Sequence, residues 1–450
     1  MSANTSIAKM KGLLSFKHGV HPPQNKDITA AIASRRFPFP QEVILPLSQH
    51  IGTPAKALVQ PGDRVERGDV VAAATGFISS AVHATASGTV KSIELWPHPG
   101  GDMVPSIRIA VDPDSSQMRR SRIVPRWQDV KDEDLSREIA RAGIVGLGGA
   151  AFPSHVKLTP PKDQPIDLLL INGCECEPYL TSDHRTMLEL PDKIYLGIRI
   201  ALKALGITRA VIGIEANKPD AIEMMRKTAP DDLDVTVQPL QVKYPQGAEK
   251  MLIKAVMGRE VPSGALPSAI GALVQNVATA ANVAAVFESG QPLIERIITV
   301  TGGGIRQPGN WVIPFGTKLR DVIEHCGGLT DDAAEIVFGG PMMGLGQANL
   351  DVPILKATGG ILILAQDECK RQDILPCIRC GKCLDACPVF LNPQLLGMLA
   401  KAERFEEMAA EANLKDCMLC GCCSYVCPSN IPLSQLFAAS RIQLKRLAAS

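Results

Sequence analysis

The chain is poor in aromatic residues: Phe, Trp and Tyr make up 4% of 450 residues, with 3 Trp and 4 Tyr. It also lacks an excess of either charge, because 47 Lys and Arg face 46 Asp and Glu for a net charge of +1. Such a balance gives no electrostatic reason for a nucleic-acid partner, and none is expected. No run of about eighteen apolar residues occurs, so no segment is expected to span a bilayer. The opening MSANTSIAKMKG has no apolar stretch of the kind a secretory leader needs, so no leader is expected. Hydrophobic residues at 46% and charged residues at 21% fit a globular protein with real cores. The length suggests about three or four domains.

Cysteine is abundant, with thirteen in all. Nine crowd into residues 377–427, in the runs CIRCGKCLDACP and CMLCGCCSYVCP. Both runs have the spacing C-x2-C-x2-C-x3-C-P, which belongs to two-cluster bacterial ferredoxins. In that arrangement the fourth Cys of each run ligates the other cluster. One [4Fe–4S] cluster is therefore assigned to Cys377, Cys380, Cys383 and Cys427, and the second to Cys417, Cys420, Cys423 and Cys387. Pro388 and Pro428 turn the fourth ligand away from the first three. Zinc is the alternative, but its sites usually pair C-x2-C with a distant partner pair rather than forming two complete quartets. Cys422 reads as a small residue packed beside the second cluster. Cys174, Cys176, Cys326 and Cys369 lie off the pattern, and core packing is their reading. One or two helices are expected between the runs, and a last helix after them.

Upstream, IVGLGGAAFPSHVKL (144–158) carries Gly146-x-Gly148-x-x-Ala151, a match to the dinucleotide fingerprint. That fingerprint needs a strand before it and a helix after it. Here a helical pattern, DLSREIARAG, precedes it and Pro153 follows. The stretch reads either as a loop whose backbone closely approaches a flat or anionic ligand, or as an ordinary helix-to-strand connection. Strands at 166–173, 209–216 and in DLDVTVQPL alternate with helices at 191–205 and in PDAIEMMRKTA, which implies a parallel sheet. NGCECEPYLTSDHR follows the first strand, where open α/β sheets bind ligands. Its Asn172, Glu175, Glu177 and Asp183 are either solvated loop residues or part of a site. KYPQGAEKMLI brings Tyr244, Gly247 and Glu249 to a helix start, and VQNVATA brings Asn276 and Thr279 to another. Helix starts favour anions and polar ligand groups.

Residues 46–94 read as short valine-rich strands split by Pro-Gly-Asp and Gly-Asp turns, fitting the small sandwich of lipoyl carriers. The hairpin tip near FISSAVHATASG has no lysine, so a carrier role is not expected. Residues 297–345 read as strand, hairpin and helix, ending in the glycine-rich VFGGPMMG.

The motifs HGVHPPQNK (18–26), GLGGAAFPSHVKL, INGCECEPYLTSDHR, IGIEANKP, KYPQGAEKMLI, VQNVATA, GGPMMG and the two cysteine runs together resemble the RnfC family, one of the subunits of the Rnf electron-transport complex. The resemblance covers almost the whole chain. The middle also resembles the flavoprotein subunit of respiratory complex I, whose loop is close to G-x-GGAGFP with a following N-x-x-E-x-EP. The resemblance implies a multidomain fold, α/β with all-β parts. Its expected units are an N-terminal extension (1–40), a barrel-sandwich-like β domain (41–120) and a parallel α/β domain binding FMN and NADH (130–290). A β-grasp-like domain of SLBB type (291–365) and a helical ferredoxin-like domain with two [4Fe–4S] clusters (366–450) would follow.

Matched position by position, Gly146, Gly148, Gly149 and Lys157 correspond to the flavin loop. Asn172, Glu175, Glu177, Tyr244, Gly247, Glu249, Asn276 and Thr279 correspond to other flavin-pocket positions. Phe152 and Glu177 correspond to positions facing the nicotinamide. The sequence departs at Cys174 and at Ala151, where the loop often has glycine; the added methyl fits there only at negative φ. The implied activity is that of an ion-translocating ferredoxin:NAD oxidoreductase, a translocase. NADH would be the substrate, FMN would be bound noncovalently, and the hydride would go to FMN rather than to a catalytic side chain. The implied partners are an iron–sulfur subunit, integral membrane subunits and, through the complex, ferredoxin. The implied place is peripheral, on the cytoplasmic face of the cell (inner) membrane. Two other readings fit some of the motifs: a soluble flavin and iron–sulfur reductase resembling cobalamin reductases, and a non-enzymatic electron-wiring scaffold.

Overall fold

The computed structural model describes residues 13–118, 123–369 and 372–449. Residues 1–12, on which the reading of the opening segment rests, lie outside them. Among the described residues no helix is long and apolar enough to cross a membrane.

The central unit is a four-stranded parallel sheet in the order Val235–Leu240, Ala210–Glu215, Leu168–Asn172, Ala272–Asn276. Leu169, Leu170 and Ile171 are fully buried, because helices cover both faces and an alternating pattern would expose one of them. Helix Pro191–Leu205 starts on its proline and ends at Gly206, whose φ of +66° suits a glycine cap. It crosses helix Val277–Ser289 at Gly197, where a Cβ would lie 1.9 Å from the Ala280 carbonyl oxygen. That close approach fixes the second helix, and with it Asn276 and Thr279, at the sheet's carboxyl edge.

Ahead of this unit, strands Glu42–Pro46, Arg64–Val65, Gly88–Pro97 and Met103–Val111 form one sheet, and Lys56–Ala57, Val70–Ala73 and Val82–His83 a second. They enclose their own core of Val43, Leu45, Val71, Ile107 and Ile109. After the central unit, a mixed six-stranded sheet is built on the hairpin Glu295–Thr301 and Gly309–Pro314. Arg35 and Arg36 of the N-terminal stretch extend its edge beside Trp311 and Val312. This sheet and the central unit share one continuous hydrophobic core, running from Leu135 through Ile198 to Ile363.

The last part is helical, with Pro393–Lys401, Phe405–Ala410 and Leu433–Ala449 packed around Leu396, Met408, Leu414 and Phe437. The two cysteine runs flank that core and repeat each other's backbone. Gly381 and Gly421 have φ of +80° and +78°, and Arg379 and Leu419, each just before the second cysteine of its run, have +55° and +56°. Short helices Lys382–Ala386 and Cys422–Tyr425 follow at equivalent places.

Candidate functional site

The glycine loop closes on itself. Gly146 N–H donates to the Phe152 carbonyl at 2.8 Å, and Ser154 N–H to the Ile144 carbonyl at 3.0 Å. Leu147 N–H donates to the Thr279 hydroxyl at 2.8 Å, tying the loop to helix Val277–Ser289. Gly148, Gly149 and Ala150 form the exposed tip. At Gly149 φ is +106°, and an added Cβ would meet nothing within 4 Å. The tip therefore borders open space, and only glycine adopts this backbone cheaply. Ala151 is buried with φ +49°, so the expectation of negative φ is corrected. A left-handed alanine costs about 1–2 kcal/mol, which the Val145–Pro153 pairing and burial of the methyl hold in place.

Lys157, read from sequence as a free positive charge, is paired. Its ammonium meets Glu249 at 2.6 Å and donates to the Val274 carbonyl at 3.1 Å. The pair bolts the loop's short helix to the start of helix Glu249–Met257. The helix starts are likewise occupied. Asn276 accepts from the Ala278 and Thr279 amides, and Gly247 N–H donates to Cys176 Sγ at 3.2 Å. Those amides are not donors left for a ligand, contrary to expectation.

The acidic turn is wired inward. Glu175 accepts from the Asp183 and His184 amides at 2.8 and 3.0 Å and from the Ser182 hydroxyl at 3.1 Å, capping helix Ser182–Glu189. Asn172 donates to the Gly247 carbonyl and accepts from Cys174 N–H. Asp183 accepts from Asn276 at 2.6 Å; burial, with Glu175 as the nearest like charge, pushes it up to about 7. Its other carboxylate oxygen is buried without a partner.

Glu177, partly buried, is held from a different unit. Its oxygens accept from the Met342 and Met343 amides of the GGPMMG loop at 3.1 and 2.9 Å. Gly340 is required there, because a Cβ would lie 2.3 Å from the Glu177 carboxylate. Burial outweighs these donors and raises Glu177 to about 7. Lys26 of HGVHPPQNK sits beside it, donating to the Glu177 and Leu180 carbonyls at 2.7 and 2.6 Å. Burial, then Lys218, lowers Lys26 to about 8. Lys26 and the Met342–Met343 amides are functional positions that the sequence did not single out. Their motifs, HGVHPPQNK and GGPMMG, stand out in the chain, but the contacts they make are long-range.

Tyr244 is fully buried, and its hydroxyl donates to the Cys420 carbonyl at 2.8 Å. Around it Val20, Cys176, Ala386, Cys420 and Cys422 form a small apolar junction between the sheet domain and the cysteine runs. Tyr244 thus faces the second run rather than a flavin. Cys417, Cys420, Cys423 and Cys387 line one cavity with Leu391, Leu396 and Phe437. Cys422 also borders it, fully buried, with Sγ 4.0 Å from the Tyr244 carbonyl oxygen. On the other side, Cys383 has Cys380, Cys427 and Cys377 as charged neighbours. Cys377 and Cys380 are exposed. Cys174, Cys176 and Cys326 are buried, and Cys369 is half-buried.

The residues present fit the groups that the resemblance implies. A glycine tip borders open space for a flavin, and two sets of four thiols stand in the exchanged pattern. Phe152, half-buried, lies at the end of the loop.

Four family models match in succession. They are the RnfC barrel sandwich hybrid domain (14–114), the Nuo51 FMN-binding domain (139–285), the SLBB domain (297–346) and the 4Fe-4S dicluster domain (373–431). The chain is 45% identical over 404 residues to the RnfC subunit of the proton-translocating ferredoxin:NAD(+) oxidoreductase complex of Clostridium ljungdahlii, covering 90% of this chain and 88% of that one. It is 43% identical over 379 residues to the counterpart in the Na(+)-translocating complex of Acetobacterium woodii, covering 84% and 86%. With the counterpart in the ion-translocating oxidoreductase complex of Rhodobacter capsulatus the identity is 41% over 434 residues, covering 96% and 83%. Among solved structures, an NAD+-reducing [NiFe]-hydrogenase in the H2-reduced state aligns with a TM-score of 0.49 at 20% identity, over 71% of this chain and 61% of that one.

Proposed function

The chain belongs to the RnfC family of the ion-translocating ferredoxin:NAD(+) oxidoreductase complexes, and we propose that it is the subunit through which the complex exchanges electrons with NADH. FMN lies against Gly146, Gly148 and Gly149, with Phe152 and Glu177 toward the nicotinamide. Cys377, Cys380, Cys383 and Cys427 hold one [4Fe–4S] cluster; Cys417, Cys420, Cys423 and Cys387 hold the other. When bound, these groups let a two-electron hydride carrier meet one-electron acceptors.

The chain's own residues supply position. Thr279 fixes the loop through Leu147, and the Lys157–Glu249 pair fixes the loop's exit. Glu175 and Asn172 shape the turn that presents Glu177. The observation that carries the reading is the Tyr244–Cys420 hydrogen bond, which seats the second run directly on the glycine-loop domain. The protein sits peripherally on the cytoplasmic face of the membrane, beside an iron–sulfur subunit and integral membrane subunits, and reaches ferredoxin through them.

Gly149→Val tests the flavin placement. The branched side chain would occupy the open space beside the tip, so FMN content should fall to a small fraction while iron content stays whole. A Gly149→Val protein with full FMN and normal reduction by NADH would move the flavin elsewhere. Fractionation tests the membrane placement: a protein that never copurifies with integral membrane partners would favour a soluble reductase.

A further inference from the structure

The two cysteine runs have the same backbone but differ in what covers it. In the second run Gly421 lies under the GGPMMG loop, where a Cβ would be 2.8 Å from the Met342 carbonyl oxygen. Cys422, next in sequence, is fully buried at the Tyr244 junction. At the equivalent places in the first run, Gly381 has nothing within 4 Å of its Cβ direction, and Lys382 is exposed. Leu419 of the second run is half-buried, whereas its counterpart Arg379 is exposed. Neither Arg379 nor Lys382 forms an ion pair with a described residue.

The segment leading into the first run is exposed at every residue from 372 to 380, yet its backbone is pinned. Leu375 N–H donates to the Ser429 carbonyl at 2.9 Å, Ser429 Oγ–H to the Pro376 carbonyl at 2.9 Å, and Asn430 Nδ2–H to the Asp373 carbonyl at 3.1 Å. The pinning holds Ile374, Leu375 and Ile378 outward at 59%, 52% and 68% exposure. A fixed apolar strip beside two unpaired cations is unusual for a free surface.

We infer that this face of the first run, with Ile374, Leu375 and Ile378 flanked by Arg379 and Lys382, is the docking surface for a partner protein that carries its own redox centre behind an acidic rim. The inference rests on the reading of both runs as cluster-binding. The surface that the glycine-loop domain covers on the second run is the one left open on the first, so the repeat itself says where a second protein belongs. The second run meets its neighbour through Leu419 and Cys422, and that neighbour is the chain's own apolar junction. The first run offers cations at those positions, which selects carboxylates.

The test uses the purified membrane complex. Arg379→Glu with Lys382→Glu should leave FMN and iron contents and NADH-driven ferricyanide reduction unchanged, while NADH-driven reduction of the partner subunits' centres falls at least ~10-fold. If the double reversal lowers iron content, Arg379→Gln with Lys382→Gln serves instead, with a fall of roughly 3-fold or more. A photo-crosslinking residue at Ile378 should join to a redox-centre-bearing partner within an acidic segment. Unchanged electron flow with full cofactors, or a crosslink only to a partner without a redox centre, overturns the docking surface and leaves the assigned function standing. Wild-type protein without iron in either run overturns both.

Discussion

The runs at Cys377–Pro388 and Cys417–Pro428 share spacing and backbone, yet one faces outward and the other is built into an interior junction. The ligand residues are common to both, so the difference comes from the residues between them. Ile378, Arg379 and Lys382 stand where Met418, Leu419 and Cys422 stand in the second run. A long cation does not enter a dry junction without a partner, and a small thiol fills one readily. Cluster potentials follow burial and hydrogen bonding around the sulfurs, so two sites with equal ligands are placed in unequal surroundings.

The largest expected effect breaks the pairing of the runs. Cys387→Ser lies in the first run but should remove the cluster of the second, costing ~4 of ~8 irons per chain. Cys427→Ser should do the converse, as read by iron analysis and the EPR spectra of the reduced protein. Loss of each variant's own-run cluster would refute the exchanged ligand sets.

Exchanging the intervening residues comes next. Cys422→Lys forces an ammonium against Tyr244 and should destabilise the junction by roughly 3 kcal/mol or more, because a buried polar or charged group would lack a partner. Lys382→Ala, at the exposed equivalent, should change thermal stability by less than ~0.5 kcal/mol. Equal shifts in Tm for the two would remove the distinction between a covered and an open run.

Glu177 links the covered run's neighbour, the GGPMMG loop, to the glycine-loop domain. Charged hydrogen bonds of this kind contribute ~1.5–3 kcal/mol, so Glu177→Gln should weaken NADH use roughly 10- to 150-fold while FMN content stays near normal. Its pH signature has a definite sign. Folding raises the carboxyl from 4.5 to about 7, so the folded state holds the extra proton in that window. The associated stability is fully present below pH 4.5 and is lost as pH rises through 7, on the order of 1–3 kcal/mol. Glu177→Gln should flatten that slope in denaturant titrations; an unchanged slope would assign it to another group.

The smallest effect sharpens the role of Cys422 itself. Cys422→Ser keeps the volume nearly constant and should leave both clusters at full occupancy. Loss of either cluster would make that thiol a ligand.

Much of the fold and site is legible from sequence because it is local or periodic. The cysteine spacing, the buried strand Leu168–Asn172, the helix beginning at Pro191 and the glycine tip all announce themselves within a few residues. What is not legible depends on pairs far apart in the chain. Lys157 reads as a free cation until Glu249, 92 residues on, is placed against it. Tyr244 reads as a pocket residue until Cys420 arrives from 176 residues away. Ala151 reads as strain-free, because backbone sign is set by the Val145–Pro153 closure rather than by the side chain. The continuous core of the central unit and the six-stranded sheet also hides the boundary expected near residue 290.

The most direct measurement is anaerobic purification of the chain, followed by iron, sulfide and flavin analysis and a spectrum after NADH addition. The account expects ~8 irons and ~8 sulfides per chain, one FMN, and bleaching of both flavin and cluster absorbance by NADH. Full iron with no flavin retained or taken up, and no bleaching by NADH, would contradict it.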